Sequence, residues 1–372
     1  MRRVLLGSTA LLGAAMIFAG PAAAEMETTF SGFLKAEFWG ASQDVDDPRD
    51  YVFGVDDSEF HVKAKNTADN GLSYGVNLEF ELGSSVSMDE GYLWFSGDDW
   101  GTIQLGGNDG VLADMPYSGD FSLTAAFGYD GGLGAVWNFQ NEIYFPSAAG
   151  TYGDQAKINY YSPRFSGIQF GITYMVDSGQ ATVGSDSLDS DSAVGATFLD
   201  DGTTLITAAG SDDQDEDIIQ IGLNFVDTIN GIDIGIGGAY STSTPESGST
   251  AGREDTEGLH VGFNIGFSGF TFGASYADNF DSGCSVAGCD GGQFYEVAGG
   301  YSTGPWTVGI GWFHGEKDID TTTDEETDII SIGAKYSLAP GAVLITEFNF
   351  VDEDGPTNND GTTYMVGTQI SF

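Results

Sequence analysis

Thr363-Tyr364-Met365-Val366-Gly367-Thr368-Gln369-Ile370-Ser371-Phe372 ends the sequence. Tyr364, Val366, Ile370 and Phe372 share one parity, interrupted only by Thr368, while Gly367, Gln369 and Ser371 hold the other. Successive side chains of a strand point to opposite faces, so this stretch has one apolar face and one small or polar face. The pattern recurs along the chain between turn-forming residues. Alternating strands of that length are the signature of a closed barrel with lipid outside and water inside.

The clearest repeat covers residues 72–82. Leu72, Tyr74, Val76, Leu78, Phe80 and Leu82 alternate with Ser73, Gly75, Asn77, Glu79 and Glu81. In residues 59–65, Phe60, Val62 and Ala64 alternate with His61, Lys63 and Lys65. About sixteen such segments can be placed, an even number as single-chain bacterial barrels require. They come in pairs. Joints inside a pair are short and rich in Gly, Pro or Asn, as at Ser268-Gly269, Thr303-Gly304-Pro305 and Ala339-Pro340-Gly341. Joints between pairs are long and acidic: 40–57, and also 177–215 and 317–327, which are rich in Asp, Ser and Thr. That asymmetry separates a periplasmic rim from an extracellular one, and an even count places both termini on the short-turn side. Aromatics near strand ends, including Trp39, Tyr240, Tyr276, Tyr301, Trp306, Trp312, Phe350 and Phe372, suit girdles at two membrane interfaces.

Residues 1–24 read as a cleaved secretory signal: Arg2 and Arg3, then an apolar run, then Ala22-Ala23-Ala24. Residues 25–372 form the mature chain, a single barrel domain, and contain no later apolar run of the ~18 residues that a spanning helix needs. The sequence holds 56 acidic and 11 basic residues, a net charge of −45. Such a field repels phosphates, which excludes nucleic acid as a partner. The 26 Phe, 16 Tyr and 6 Trp set the chain apart from acidic disordered proteins, which are poor in aromatics. Cys284 and Cys289, five residues apart in one loop, are expected to pair in an oxidising compartment; a metal site would need further soft ligands, and none is close in sequence.

A bore of about sixteen strands is too wide for wall side chains to fill. Residues 108–155, the long stretch without clean alternation, are the candidate to narrow it. Leu112, Met115, Phe121, Leu123, Phe127, Val136, Trp137, Phe139 and Phe145 give this segment something to pack with. Its acids Asp109, Asp114, Asp120, Asp130 and Glu142 are expected to face the open passage.

The stretch from Gly91 to Gly107, Gly-Tyr-Leu-Trp-Phe-Ser-Gly-Asp-Asp-Trp-Gly-Thr-Ile-Gln-Leu-Gly-Gly, resembles the strand–turn–strand ahead of the constriction loop in Gram-negative general porins, notably those of photosynthetic and related alphaproteobacteria. Ser31-Gly32 and the terminal Phe372 resemble the same family. The resemblance implies a sixteen-stranded antiparallel transmembrane β-barrel in the bacterial outer membrane, among lipid and lipopolysaccharide. It also implies a homotrimer with an inward-folded third loop and passive diffusion of small hydrophilic solutes. The Gly106-Gly107-Asn108 junction lacks the basic residue that many such porins carry there.

Basic residues are few, so their parity is informative. Lys35, Lys63, Lys65 and Lys335 all fall on the inward parity, and joining the first and last strands would bring them to one basic wall patch; the resemblance implies a constriction whose field runs between such bases and the loop acids. For Lys63 and Lys65, solvation of the periplasmic rim is the plainer alternative. Acids outnumber bases so heavily that cations are the expected permeant ions. The run Asp212, Asp213, Asp215, Glu216 and Asp217 offers oxygen ligands of the kind Ca²⁺ takes, without an EF-hand spacing; a solvated loop explains it as simply. His61, His260 and His314 lie in no hydrolase or zinc-protease motif, so no enzyme is expected. Two alternatives stand beside the diffusion channel: a solute-specific channel, and a secreted calcium-binding β-sandwich or adhesin. The second would bury its apolar faces, yet here the opposite parity carries Asn77, Glu79, Lys335 and Gln369.

Overall fold

A computed structural model describes residues 26–45, 50–83, 86–118, 133–143, 147–179, 214–246 and 252–372. The expected signal, residues 1–24, lies outside them, as do Asp120, Asp130, Asp212 and Asp213. The first half contains strands β1 (Glu27–Gln43), β2 (Tyr51–Thr67), β3 (Ser73–Leu82), β4 (Val86–Gly97), β5 (Gly101–Gly107), β6 (Ala156–Tyr161), β7 (Ile168–Asp177) and β8 (Asp215–Ile229). The second contains β9 (Ile232–Pro245), β10 (Thr256–Phe267), β11 (Phe270–Asp278), β12 (Gln293–Thr303), β13 (Trp306–Asp320), β14 (Thr323–Ala339), β15 (Ala342–Asp354) and β16 (Asn359–Ser371). Each pairs antiparallel with its sequence neighbours, and β1 also pairs with β16, closing the barrel. At the seam Gly32 and Phe372 exchange both backbone hydrogen bonds at 3.0 Å.

The period-two pattern decides which way each strand faces. On β15, Leu344, Phe348 and Phe350 are exposed while Ile345, Glu347, Asn349, Val351 and Glu353 are buried inside. The apolar set therefore faces outward, where no water-filled core could hold it, and the polar set faces the bore. Outward aromatics form ladders, as in Phe30–Phe60 and Phe60–Phe80 with ring centroids 6.1 and 6.4 Å apart. Among the described residues no helix is long and apolar enough to cross a membrane; the strands supply the membrane-facing surface.

Short turns gather on one rim. Asn230 and Gly231 take φ of 53° and 80° between β8 and β9, the left-handed pair that a two-residue hairpin turn demands. Two expected acidic loops are shorter than their composition suggests. β1 runs to Gln43 and β2 begins at Tyr51, because Tyr51, Val52 and Phe53 pair with Gly40, Trp39 and Phe38. The expected loop at 317–327 is mostly strand, with β13 and β14 joined across residues 321–322. Acidic side chains there stand on both faces above the apolar band, so composition hides the ladder. Trp39 is also not a girdle residue. It is 2% exposed, and its Nε1 donates to Glu37 Oε2 at 2.8 Å inside the barrel. Trp306, Trp312, Phe350 and Phe372 do stand exposed on the outer wall. Cys284 and Cys289 form a disulfide in the loop between β11 and β12.

Candidate functional site: the shelf inside the barrel

The chain leaves the wall after β5 and folds inward. Its first leg begins with one helical turn, Val111–Asp114. Val111, Leu112 and Met115 are at most 1% exposed. Val111 N donates to Thr173 Oγ1 at 2.9 Å and Leu112 N to Gln220 Oε1 at 3.0 Å, fixing this turn to β7 and β8. The wall facing the leg is made of glycine. A Cβ on Gly237 would lie 2.1 Å from the Met115 carbonyl oxygen, and one on Gly262 would lie 1.9 Å from that of Tyr117. The loop backbone lies flat on the barrel because these positions have no side chain.

The second leg reaches the other wall. Glu353 on β15 accepts from Trp137 Nε1 at 2.9 Å, Gln140 N at 2.9 Å and Asn141 N at 3.0 Å. Asn141 Nδ2 donates to the Glu326 carbonyl at 2.7 Å and to Thr327 Oγ1 at 3.0 Å. Gln43 on β1 binds this leg twice, to Val136 O at 2.8 Å and from Asn138 N at 3.0 Å. The return leg passes β8 to the end of β11, where Gln220 Nε2 donates to Gly150 O at 2.7 Å and Ala149 N to Asn279 Oδ1 at 2.7 Å. The loop is thus a shelf tied to the wall on several sides.

At its root lies a cluster that parity did not single out. Lys157 on β6 is buried and donates through Nζ to the carbonyls of Asn108 and Gly153. Asp109 and Asp154 flank it, and Asp109 N donates to Glu90 Oε1 at 3.3 Å. Burial raises the Asp109 carboxyl above its ordinary value, against the pull of Lys157. Burial also pushes Asp154 up to about 6, with Asp89 and Asp109 adding and Lys157 opposing. Asp114 stands exposed to the bore; it too is raised by the surrounding wall, while the Tyr161 hydroxyl that donates to it works the other way. Glu142 is exposed and paired with Lys317, and its backbone N donates to Glu325 Oε2 at 2.9 Å. The missed signals were Glu90 and Lys157, strand residues beside the loop root.

The expected basic residues are distributed over β1, β2 and β14 and interleaved with acids. Lys35 is buried, with Nζ 3.5 Å from Glu37 Oε1. Lys63 lies 2.9 Å from Glu79. Lys65 sits at the short-turn rim, 3.4 Å from Glu27, with both side chains exposed. Lys335 lies across from Thr307 and Ile345 on the neighbouring strands, half-buried. The described part of the 212–217 run is not gathered into one cation site. Asp215 is buried against Arg253 at 2.8 Å and Thr256 Oγ1 at 2.8 Å, while Asp217 accepts from Tyr174 on the outer wall at 2.8 Å. Among the described residues the sets that do converge are Glu59, His61 and Glu79, and His314, Glu326 and Asp328.

A sixteen-stranded closed barrel with apolar outside, polar inside and an inward loop narrows the comparison to channel proteins, and a family model described as Gram-negative porin matches residues 8–356. The chain belongs to the Gram-negative porin family. This porin is therefore an outer-membrane channel protein. Its fold is similar to that of OmpT of Vibrio cholerae, expressed in the outer membrane, at 14% identity over 94% of this chain and 99% of that one, with a TM-score of 0.61. It is similar to an anion-selective porin from Comamonas acidovorans at 15% identity over 94% and 100% of the two chains, TM-score 0.61. A mutant of the Rh. blastica porin matches at 16% identity over 93% and 100%, TM-score 0.58. Among curated proteins, none matches this porin.

Proposed function

We propose that this porin forms a water-filled, cation-selective channel for passive diffusion of small hydrophilic solutes. The carrying observation is the charge on the inner wall and shelf root. Glu37, Glu79, Glu90, Asp109, Asp114 and Asp154 surround a few lysines that are themselves paired. A low-dielectric wall focuses such a field, and acidic rings favour cations. Selectivity does not come with the fold, since the Comamonas neighbour is described as anion-selective; it is set by the side chains. Asp109, Asp114 and Glu142 act as the acidic side of the constriction, and Lys35, Lys63, Lys65 and Lys335 as a sparse basic counterpart.

The functional unit is a homotrimer seated among lipid and lipopolysaccharide. OmpT of Vibrio cholerae is described in a trimer form, and here the outward faces of β1 and β2 present exposed Phe30, Tyr51, Phe53 and Val55 as an apolar surface for a neighbour. Residues 25–372 constitute one barrel domain, and a channel of this kind needs no catalytic machinery. Reversal potentials in a KCl gradient across a planar bilayer test the reading. A potential of the sign set by K⁺ is expected; a preference for chloride would overturn it.

A further inference from the structure

We infer that Glu59, His61 and Glu79 form a binding site for a divalent transition-metal ion of the zinc class on the wall of the bore. β2 places Glu59 and His61 two residues apart, so both side chains face inward, and β3 sets Glu79 directly opposite His61. His61 Nε2 lies 2.6 Å from Glu59 Oε2 and 3.5 Å from Glu79 Oε2. Ligand atoms around a tetrahedral zinc are ~3.4 Å apart. The Glu79 separation already fits, and Glu59 has only to withdraw by ~0.8 Å, a side-chain adjustment.

The second oxygen of Glu79 accepts from Lys63 Nζ at 2.9 Å. That contact holds the carboxylate with Oε2 turned to His61, the orienting role that outer partners of metal ligands play. The ammonium opposes a metal electrostatically, but Glu81, opposite Glu59 on β3, leaves the group as a whole negative. An imidazole with two carboxylates suits zinc, copper or nickel, whereas calcium seeks six to eight oxygens. Side-chain exposures of 18%, 21% and 15% for His61, Glu59 and Glu79 keep the donors reachable from the water of the bore, which would complete the coordination.

The height of the site gives it a consequence. Glu79 faces the irregularity of β4 between the Leu78 and Phe80 pairs, and Gly91 beyond it pairs with Gly107, one residue before the shelf root. An ion held there adds positive charge at the narrowed level of an acidic bore, lowering cation flux.

The experiment is a ZnCl₂ titration of the purified channel in planar bilayers at constant ionic strength, with MgCl₂ as the hard-cation control. Native channels are expected to lose conductance saturably in the micromolar range of Zn²⁺. His61→Asn and Glu59→Gln should raise the half-effect concentration at least ~10-fold, with conductance in the absence of zinc confirming an open barrel. Equilibrium dialysis of the detergent-solubilised protein against Zn²⁺ is the second readout: native protein should bind one ion per chain more than His61→Asn. Equal zinc binding by the two proteins, or the same block curve for both, overturns the site. If native channels do not conduct without metal, the channel reading fails instead, and the dialysis alone decides the metal site.

Discussion

Glu353 and Asp154 are single residues tied to the shelf inside the barrel. Glu353 lies on the last but one strand, yet it accepts three hydrogen bonds from the far leg of the shelf. Glu353→Ala leaves those donors inside the barrel without their acceptor, a loss of about 3 kcal/mol from the leg's anchorage. The barrel should still close, while the 133–143 leg becomes accessible to protease and single-channel current becomes noisier. Limited proteolysis together with current recordings checks both. Asp154 governs a pH response. Its folded value of about 6 stands above the ordinary 3.8 because burial and two neighbouring acids outweigh Lys157. Its charge therefore opposes the folded arrangement fully above about 6, and that cost is relieved as pH falls toward 3.8. The cation-to-anion permeability ratio should fall between pH ~7 and ~5, as the carboxylate takes up its proton. Asp154→Asn should diminish that step. Reversal potentials measured across the pH range decide it. None of these partnerships was legible in the sequence. Glu353 and Asn141 are 212 positions apart, and nothing local in an acidic strand end announces an anchor.

At the scale of elements, the strands were readable wherever an apolar face met hydrocarbon. The repeat in β3 and in β16 is regular because lipid on one side and water on the other enforce a period of two. The reading failed where strands rise above the apolar band. On β13 and β14, acids on both faces erase the contrast, so composition alone reads the ladder as a loop. For the shelf, the sequence disclosed apolar residues in need of a surface, and Met115, Val136 and Trp137 are indeed buried; what it did not disclose was the surface itself. In retrospect the signal was glycine at inward positions of β9 and β10. Gly262→Val tests this. Its side chain would occupy the space of the Tyr117 carbonyl, 1.9 Å from an added Cβ, and should displace the first leg into the passage. Conductance is expected to drop with the barrel's heat-stability in detergent retained; unchanged conductance would show that the leg yields without narrowing the bore.

For the whole molecule, the excess of acids acts as a field rather than as individual contacts, so it should answer to ionic strength. Screening shortens from ~10 Å at 0.1 M to ~3 Å at 1 M salt. The permeability ratio is therefore expected to decline toward that of free diffusion between those two salts. Persistence of full selectivity at the higher salt would assign it to close contacts at the constriction instead. The fold was legible from alternation and turn asymmetry together and the family from the Gly91–Gly107 stretch and Phe372, whereas the proposed cation preference rests on the excess of acids, with a strength that depends on which of them line the bore.

The shelf leaves the wall after β5, yet its far leg is fastened to side chains of β14, β15 and β16 and to β1 across the seam. Order of synthesis and order of aperture are thus opposed: the plug is made early and can be latched only when the final hairpin arrives. A barrel caught before its C-terminal strands dock would hold a shelf whose far leg is still unfastened.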